Sequence, residues 1–181
     1  MMKAATDLLV EGGPNAMTVD AVVARSGVAK STVYRHWKTR DELVNDVFHH
    51  CAPLLDLPAD DVPFETALHA LAHALVSMLN DPSWKRLLPA MMLLKAEMGT
   101  MAELEDDMKQ QQFEAMVSVL RRGVDEGFLP TTVLDDVNET ITLFAGPLLM
   151  AGLTETVPLT RAFADRTVEH FLAANRVTAS A

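Results

Sequence analysis

Six residues close together near the N-terminus carry side chains that can contact a polyanion. They lie within one run of seven and are Lys30, Ser31, Thr32, Tyr34, Arg35 and His36. Their amino, hydroxyl, guanidinium and imidazole groups can donate hydrogen bonds to phosphate oxygens and to base edges in the DNA major groove. A helix would present these groups outward while Val33, the one apolar residue of the run, faces a core. The run therefore predicts a helix that contacts nucleic acid.

The preceding residues predict the element that holds this helix in place. Three valines follow Thr18 at spacings that give a short helix one buried face, and Thr18 is expected to cap that helix. Gly27 suits the positive φ of a tight turn, after which the second helix begins at Ala29 or Lys30. A short helix, a Gly turn and a second short helix form a helix-turn-helix, whose second helix enters the major groove.

The distribution of charge supports this prediction, although the net charge of the chain is −10. Residues 1–50 hold six basic and six acidic residues, whereas the other 131 hold nine basic and nineteen acidic ones. Four of the first six basic residues lie between Lys30 and Arg40. A local cationic patch can therefore exist on an acidic protein, and the rest of the chain is not suited to bind a polyanion.

Helical periodicity dominates the chain and strand-like alternation is almost absent, so we expect an all-α fold of about nine helices. We expect a first domain at residues 1–51 and a second at 52–181, joined by the proline-containing segment 53–63. The first helix is expected to stop at Gly12-Gly13-Pro14, near Val10, and the eighth to run from Thr131 to Leu153. A single cysteine, no recognisable leader and no bilayer-length apolar stretch favour a cytoplasmic protein with no membrane association.

The first fifty residues resemble the DNA-binding domain of the TetR family of transcriptional regulators. The resemblance rests on AATDLLVEGG, on MTVDAVVARSGVAKSTVYRHW and on TRDEL. It implies a non-enzymatic repressor that binds a palindromic operator as a homodimer and responds to a ligand. It also implies DNA contacts from the residues of the second helix and from three flanking residues: Thr18, Lys30, Ser31, Thr32, Tyr34, Arg35, His36, Lys38 and Arg40. Trp37 stands where Phe is commoner in the family.

The second domain is expected to bind a small, largely apolar effector, because eight of the eleven methionines lie between Met78 and Met150 and methionine adapts to loosely specified ligands. Gln112 falls within an apolar stripe, where an amide needs a partner, and is the predicted polar anchor. The expected pocket residues are apolar apart from this amide and are Met78, Trp84, Met91, Met92, Met108, Gln112, Phe113, Met116 and Phe144.

The last two predicted helices are expected to form the dimer interface as a four-helix bundle across a two-fold axis. The eighth carries an apolar seam at spacings of three and four, and the ninth offers further apolar residues. The expected interface residues are Leu134, Val137, Ile141, Phe144, Leu148, Phe163, Val168 and Phe171.

Two other classes of function are compatible with parts of the sequence. Glu65, His69 and His73 recur every four residues and could place metal ligands on one helix face, with Glu97 as a further ligand of a helical-bundle enzyme. The sequence does not complete such a site, so a solvated or inter-helix polar stripe is the favoured interpretation, with no metal and no cofactor. A ligand-sequestering or protein-interaction module that has lost DNA binding is the other alternative.

Overall fold

Every regular element in the computed structural model is a helix within residues 1–51, 61–98 and 102–177, the part of the chain that the structure describes. For helical residues 14, 45, 48, 49, 51, 91, 93–98 and 102–112 only the backbone is described. The elements are α1 (Met2–Ala16), α2 (Val19–Ser26), α3 (Lys30–His36), α4 (Arg40–Cys51), α5 (Phe64–Asn80), α6 (Pro82–Met98), α7 (Ala102–Asp125), a 3-10 helix (Thr131–Leu134), α8 (Val137–Thr154) and α9 (Arg161–Ala174). The predicted all-α class is confirmed.

The chain forms two compact units. The first contains α1 to α4 and α6; the second contains α5, α7 from residue 107 onward, the 3-10 helix, α8 and α9. The sequence-based division placed all residues after 51 in one domain, whereas α6 groups with the N-terminal helices. The physical reason is that α6 packs along α1 and also contacts α4.

The first unit has a core of fully buried apolar side chains. Leu9 of α1, Val22 of α2 and Leu43 of α4 have no exposed surface. The face of α6 that carries Trp84 and Leu87 is buried as well. Removal of these side chains from water provides the main stabilisation of the helices that hold α3.

The first helical segment of α1 stops within the Gly-Gly-Pro sequence, as expected. Its backbone is interrupted at Gly13, where φ is 69° and ψ is −171°, and helical turns resume as far as Ala16. The Gly-Gly-Pro sequence therefore ends the first helical segment, and a second short segment follows because proline is tolerated in its first turn.

The second unit is assembled around α5, which packs on both α8 and α9. The predicted stripe on α5 is buried, from Phe64 to Leu79. Glu126, just after α7, accepts a hydrogen bond from the backbone N–H of Phe64 at 3.1 Å, and Arg122 donates to the carbonyl of Val62 at 2.7 Å. These two contacts fix the start of α5 against the end of α7, and the carboxylate suits a helix N-terminus.

The predicted eighth helix is two elements. A 3-10 helix ends at Leu134, and α8 starts at Val137 because the carboxylate of Asp136 caps it by accepting from the N–H of Glu139 at 2.9 Å. The hydroxyl of Thr140 donates to the carbonyl of Val133 at 2.8 Å and joins the two elements. None of the described helices is both long and apolar enough to cross a lipid bilayer.

Candidate nucleic-acid interface

Helix α2 and its turn support α3 as the sequence predicts. The hydroxyl of Thr18 accepts a hydrogen bond from the backbone N–H of Ala21 at 3.2 Å and caps α2. Its own hydroxyl proton remains able to bind a phosphate oxygen. Gly27 ends α2 with φ at 68°, a conformation that side-chain-bearing residues rarely adopt. The turn geometry is therefore fixed by glycine, and α3 begins three residues later.

Helix α3 has one buried and one exposed face. Val33 is fully buried and Trp37, at its C-cap, is 4% exposed. Of the six polar residues, only Thr32 is half-buried, and the other five are exposed: Lys30, Ser31, Tyr34, Arg35 and His36. The exposed face can therefore donate hydrogen bonds to a DNA groove without loss of core packing.

Trp37 anchors α3 to α4 by packing and by a hydrogen bond. Its indole N–H donates to Oδ2 of Asp46 at 2.8 Å. A phenylalanine would fill much of the same space but could not make this bond. The indole of Trp37 is therefore both buried and held in one orientation. This partner on α4 was not found from the sequence, because Asp46 lies beyond the turn in a different helix.

Two hydrogen bonds that involve Glu42 cap the start of α4. The hydroxyl of Thr39 accepts from the N–H of Glu42 at 3.1 Å, and the carboxylate of Glu42 accepts from the N–H of Lys38 at 2.6 Å. Lys38 is exposed, whereas Arg40 is half-buried and donates from Nε to the carbonyl of Met17 at 3.3 Å. Arg40 thus also ties α4 to the segment that precedes α2.

Lys30 has an acidic neighbour that sequence periodicity did not reveal. Its Nζ lies 2.6 Å from Oδ1 of Asp20, on the first turn of α2, and 5.8 Å from the centre of the Tyr34 ring. The hydrogen bond with Asp20 raises the pKa of Lys30, so the ammonium stays charged. Contact with DNA would exchange this carboxylate for a phosphate or a base edge.

The predicted effector residues are only partly brought together. Met116 and Phe144 line a small cavity in the second unit. Met78 and Trp84 are buried elsewhere, Phe113 is half-buried, and Met92 is 49% exposed. Trp84 and Met92 also belong to the first unit. The side chains of Met91, Met108 and Gln112 lie outside the described residues.

The predicted dimer residues fall into two groups. Half of them are buried within one protomer, because they pack α8 against α5 and α9: these are Phe144, Leu148, Val168 and Phe171. The other half are half-buried: Leu134, Val137, Ile141 and Phe163. The most exposed large apolar side chains of α8 are instead Leu143, at 67%, and Met150, at 59%. Half of the predicted interface residues therefore also serve packing within a single chain.

The histidines of α5 meet a carboxylate from α9. Nδ1 of His69 and Nε2 of His73 lie 2.9 Å and 2.7 Å from the same oxygen, Oδ1 of Asp165. The hydrogen bond from His69, followed by that from His73, lowers the pKa of the Asp165 carboxyl. The two histidines therefore form an inter-helix polar contact, as favoured from the sequence, while Glu65 is exposed.

Comparison with known proteins agrees with this architecture. Residues 1–47 match the family described as bacterial regulatory proteins, tetR family, and residues 58–171 match the tetracyclin repressor-like C-terminal domain. The HTH-type transcriptional repressor Rv3405c of Mycobacterium tuberculosis is 37% identical over 87 residues, which is 45% of each chain. The chain thus aligns with less than half the length of this relative.

Solved structures share the fold over nearly the whole chain. A TetR transcriptional regulator from Agrobacterium tumefaciens has a TM-score of 0.68 and 21% identity, covering 97% of this chain and 92% of its own. The flavonoid-responsive regulator FrrA has a TM-score of 0.71 and 18% identity, covering 98% and 96%.

A supported α3 with an exposed, hydrogen-bonding and cationic face defines a helix-turn-helix DNA-binding protein. The chain belongs to the tetR family of bacterial regulatory proteins. It is a DNA-binding transcriptional regulator.

Proposed function

We propose that this protein is a ligand-responsive repressor that binds a palindromic operator as a homodimer in the cytoplasm. The observation that carries the proposal is the exposed polar face of α3 above the buried Val33 and Trp37. Repression as the mode of control is supported by the name of the mycobacterial relative.

On the proposed operator, α3 lies in the major groove of each half-site. Lys30, Ser31 and Tyr34 contact base edges or the adjacent backbone, with Thr32 and Arg35 beside them. His36, Lys38, Arg40 and Thr18 flank this face and contact phosphates, which fixes the register of the helix. Each half-site would thus combine specific contacts with a salt-dependent electrostatic contribution.

The proposed homodimer forms through α8 and α9, with a contact surface that differs from the predicted apolar seam. Leu143, Pro147 and Met150 are all exposed and recur along α8 at spacings of four and three. Residues at these spacings share one helix face. Exposed apolar side chains arranged in this way are typical of a protein–protein contact.

The proposed effector site lies between α5, α7 and α8 in the second unit. A cavity of about 10 Å³ is lined there by side chains that are apolar apart from one threonine: Leu68, Leu71, Met116, Leu120, Thr140, Ile141 and Phe144. Such a volume holds about one water molecule, so an effector must separate these helices to enter. In the dimer this separation would favour a spacing of the two α3 helices that no longer matches half-sites roughly 34 Å apart.

A selection from random DNA duplexes at physiological salt tests the proposal. The full chain is incubated with the pool, and the retained duplexes are sequenced. We expect enrichment of one inverted repeat, since a two-fold symmetric dimer requires two matching half-sites. A folded chain that enriches no sequence would overturn the proposal and favour the sequestering or interaction module.

A further inference from the structure

Three potential metal ligands from two helices converge at one point of the second unit. His69 and His73 are four residues apart on α5 and therefore share a face, and Asp165 reaches them from α9. Nδ1 of His69, Nε2 of His73 and a carboxylate oxygen of Asp165 all lie within 4.8 Å of one another. Two imidazoles and one carboxylate are a ligand set that zinc proteins use.

Two of the three distances between these atoms are close to the edges of a coordination polyhedron. With metal–ligand distances of about 2.0–2.1 Å, the ligand atoms of a tetrahedral site are about 3.3 Å apart. The two nitrogen–oxygen distances are 2.9 Å and 2.7 Å. Lengthening these two distances by a few tenths of an ångström would bring them to the tetrahedral value, and side chains at a half-exposed site can make such movements. Each imidazole would then carry its proton on the nitrogen that faces away from the ion.

The surroundings provide a path for the ion and room for a fourth ligand. The three side chains are between 28% and 41% exposed. A water molecule can therefore complete the tetrahedron. Nitrogen ligands favour zinc, copper, nickel and cobalt over magnesium and calcium, which prefer all-oxygen sites.

We infer that His69, His73 and Asp165 form a binding site for a divalent transition-metal ion of the zinc class that joins α5 to α9. The spacing along α5 indicated the two histidines of this site but not Asp165, which lies about ninety residues further along the chain. The ion stabilises the folded state, because it binds the assembled site and not the separated helices. This inference does not depend on operator binding.

Metal titration of the full, untagged chain tests the site. The chelator-treated protein is titrated with Co²⁺, whose visible absorption reports nitrogen and oxygen coordination, and Zn²⁺ is then added in competition. We expect one equivalent of Co²⁺ to bind and Zn²⁺ to displace it. Zn²⁺ at a hundredfold excess over its Kd should raise the Tm by about 5 °C or more.

Three variants locate the bound ion. His73→Gln and Asp165→Asn each remove one ligand and should weaken Zn²⁺ binding at least tenfold and abolish the Tm shift. His170→Gln is the matched control, since His170 is exposed on α9 outside the cluster; it should bind as the unaltered chain does. Equal Zn²⁺ affinity in all three variants would overturn the inference.

Anomalous diffraction at the zinc absorption edge gives a result that needs no variant. Crystals of the unaltered chain grown with one equivalent of Zn²⁺ should show a single strong peak within bonding distance of His69, His73 and Asp165. A peak at other residues, or no saturable binding in the titration, would show that these three side chains only hydrogen-bond to one another.

Discussion

The exposed faces of α3 and α8 differ in chemistry and in how they can be recognised. The face of α3 presents hydroxyl, amino and guanidinium groups over a buried valine and tryptophan. That of α8 presents Leu143 and Met150 over an equally well buried seam. When polar residues lie at helical spacing beside a buried apolar stripe, the sequence alone shows which face of the helix is exposed. When both sides of a helix are apolar, the sequence does not show which side is buried and which is left exposed. The three-dimensional packing decides between them.

The largest expected effect comes from the core that supports α3. Trp37→Ala leaves a cavity and removes the bond to Asp46, and it should lower the free energy of unfolding of the first unit by about 3–5 kcal/mol. Urea denaturation measures this change. Trp37→Phe should cost only about 1 kcal/mol, mainly through the lost hydrogen bond. Equal losses in both variants would contradict the role assigned to ring packing.

The exposed face of α8 can be tested by charge. Leu143→Glu combined with Met150→Glu places two carboxylates at the proposed contact and should convert the dimer to a monomer. Operator affinity should fall by about a hundredfold or more, because each half-site is then bound separately. Sedimentation velocity gives the oligomeric state. Thr142→Glu changes a neighbouring exposed residue of α8 and serves as a comparison; a dimer that survives the double change would exclude this face.

The exposed face of α3 is tested by truncation. Lys30→Ala and Tyr34→Ala should each weaken operator binding by about tenfold, with unchanged helical content, since base and phosphate contacts are lost while Val33 and Trp37 remain packed. Fluorescence anisotropy with the selected duplex measures the affinity. Arg121→Ala, which removes one exposed charge from the second unit, is the control. Unchanged affinity in both α3 variants would exclude α3 as the DNA-contacting helix.

The smallest expected effect is a gain of affinity. Asp20→Asn removes the carboxylate that pairs with Lys30 and repels phosphate, so operator affinity should rise by about threefold, in keeping with the low strength of exposed ion pairs. The gain should shrink at high salt, where such pairs are screened. Weaker binding in this variant would instead indicate that Asp20 orients Lys30 for contact.

Most of the helices could be predicted from the sequence, and the main exception is the division of the predicted eighth helix. The caps at Thr18 and Thr39 use partners no more than four positions away in the chain. The turn at Gly27 depends on that glycine itself. The separate 3-10 helix before α8 follows from a local signal that periodicity does not contain, the capping carboxylate of Asp136.

The proposed sites also differ in how far apart their residues lie in the chain. The residues of the α3 face are neighbours in the chain, so their types and spacing predicted the surface. Asp20 beside Lys30, Asp46 beside Trp37 and Asp165 between two histidines all come from another helix. Periodicity along one helix carries no information about which residue of another helix will face it.

The amino-acid sequence by itself determined the all-α class, the helix-turn-helix and the polar face of α3. These follow from caps, turn residues and short-range periodicity, which act within a few residues. Tertiary structure alone decided that α6 packs with the N-terminal helices, which side of α8 is exposed, and that Asp165 meets His69 and His73. Those outcomes depend on how whole helix faces exclude water against one another, and this is a property of the assembled units.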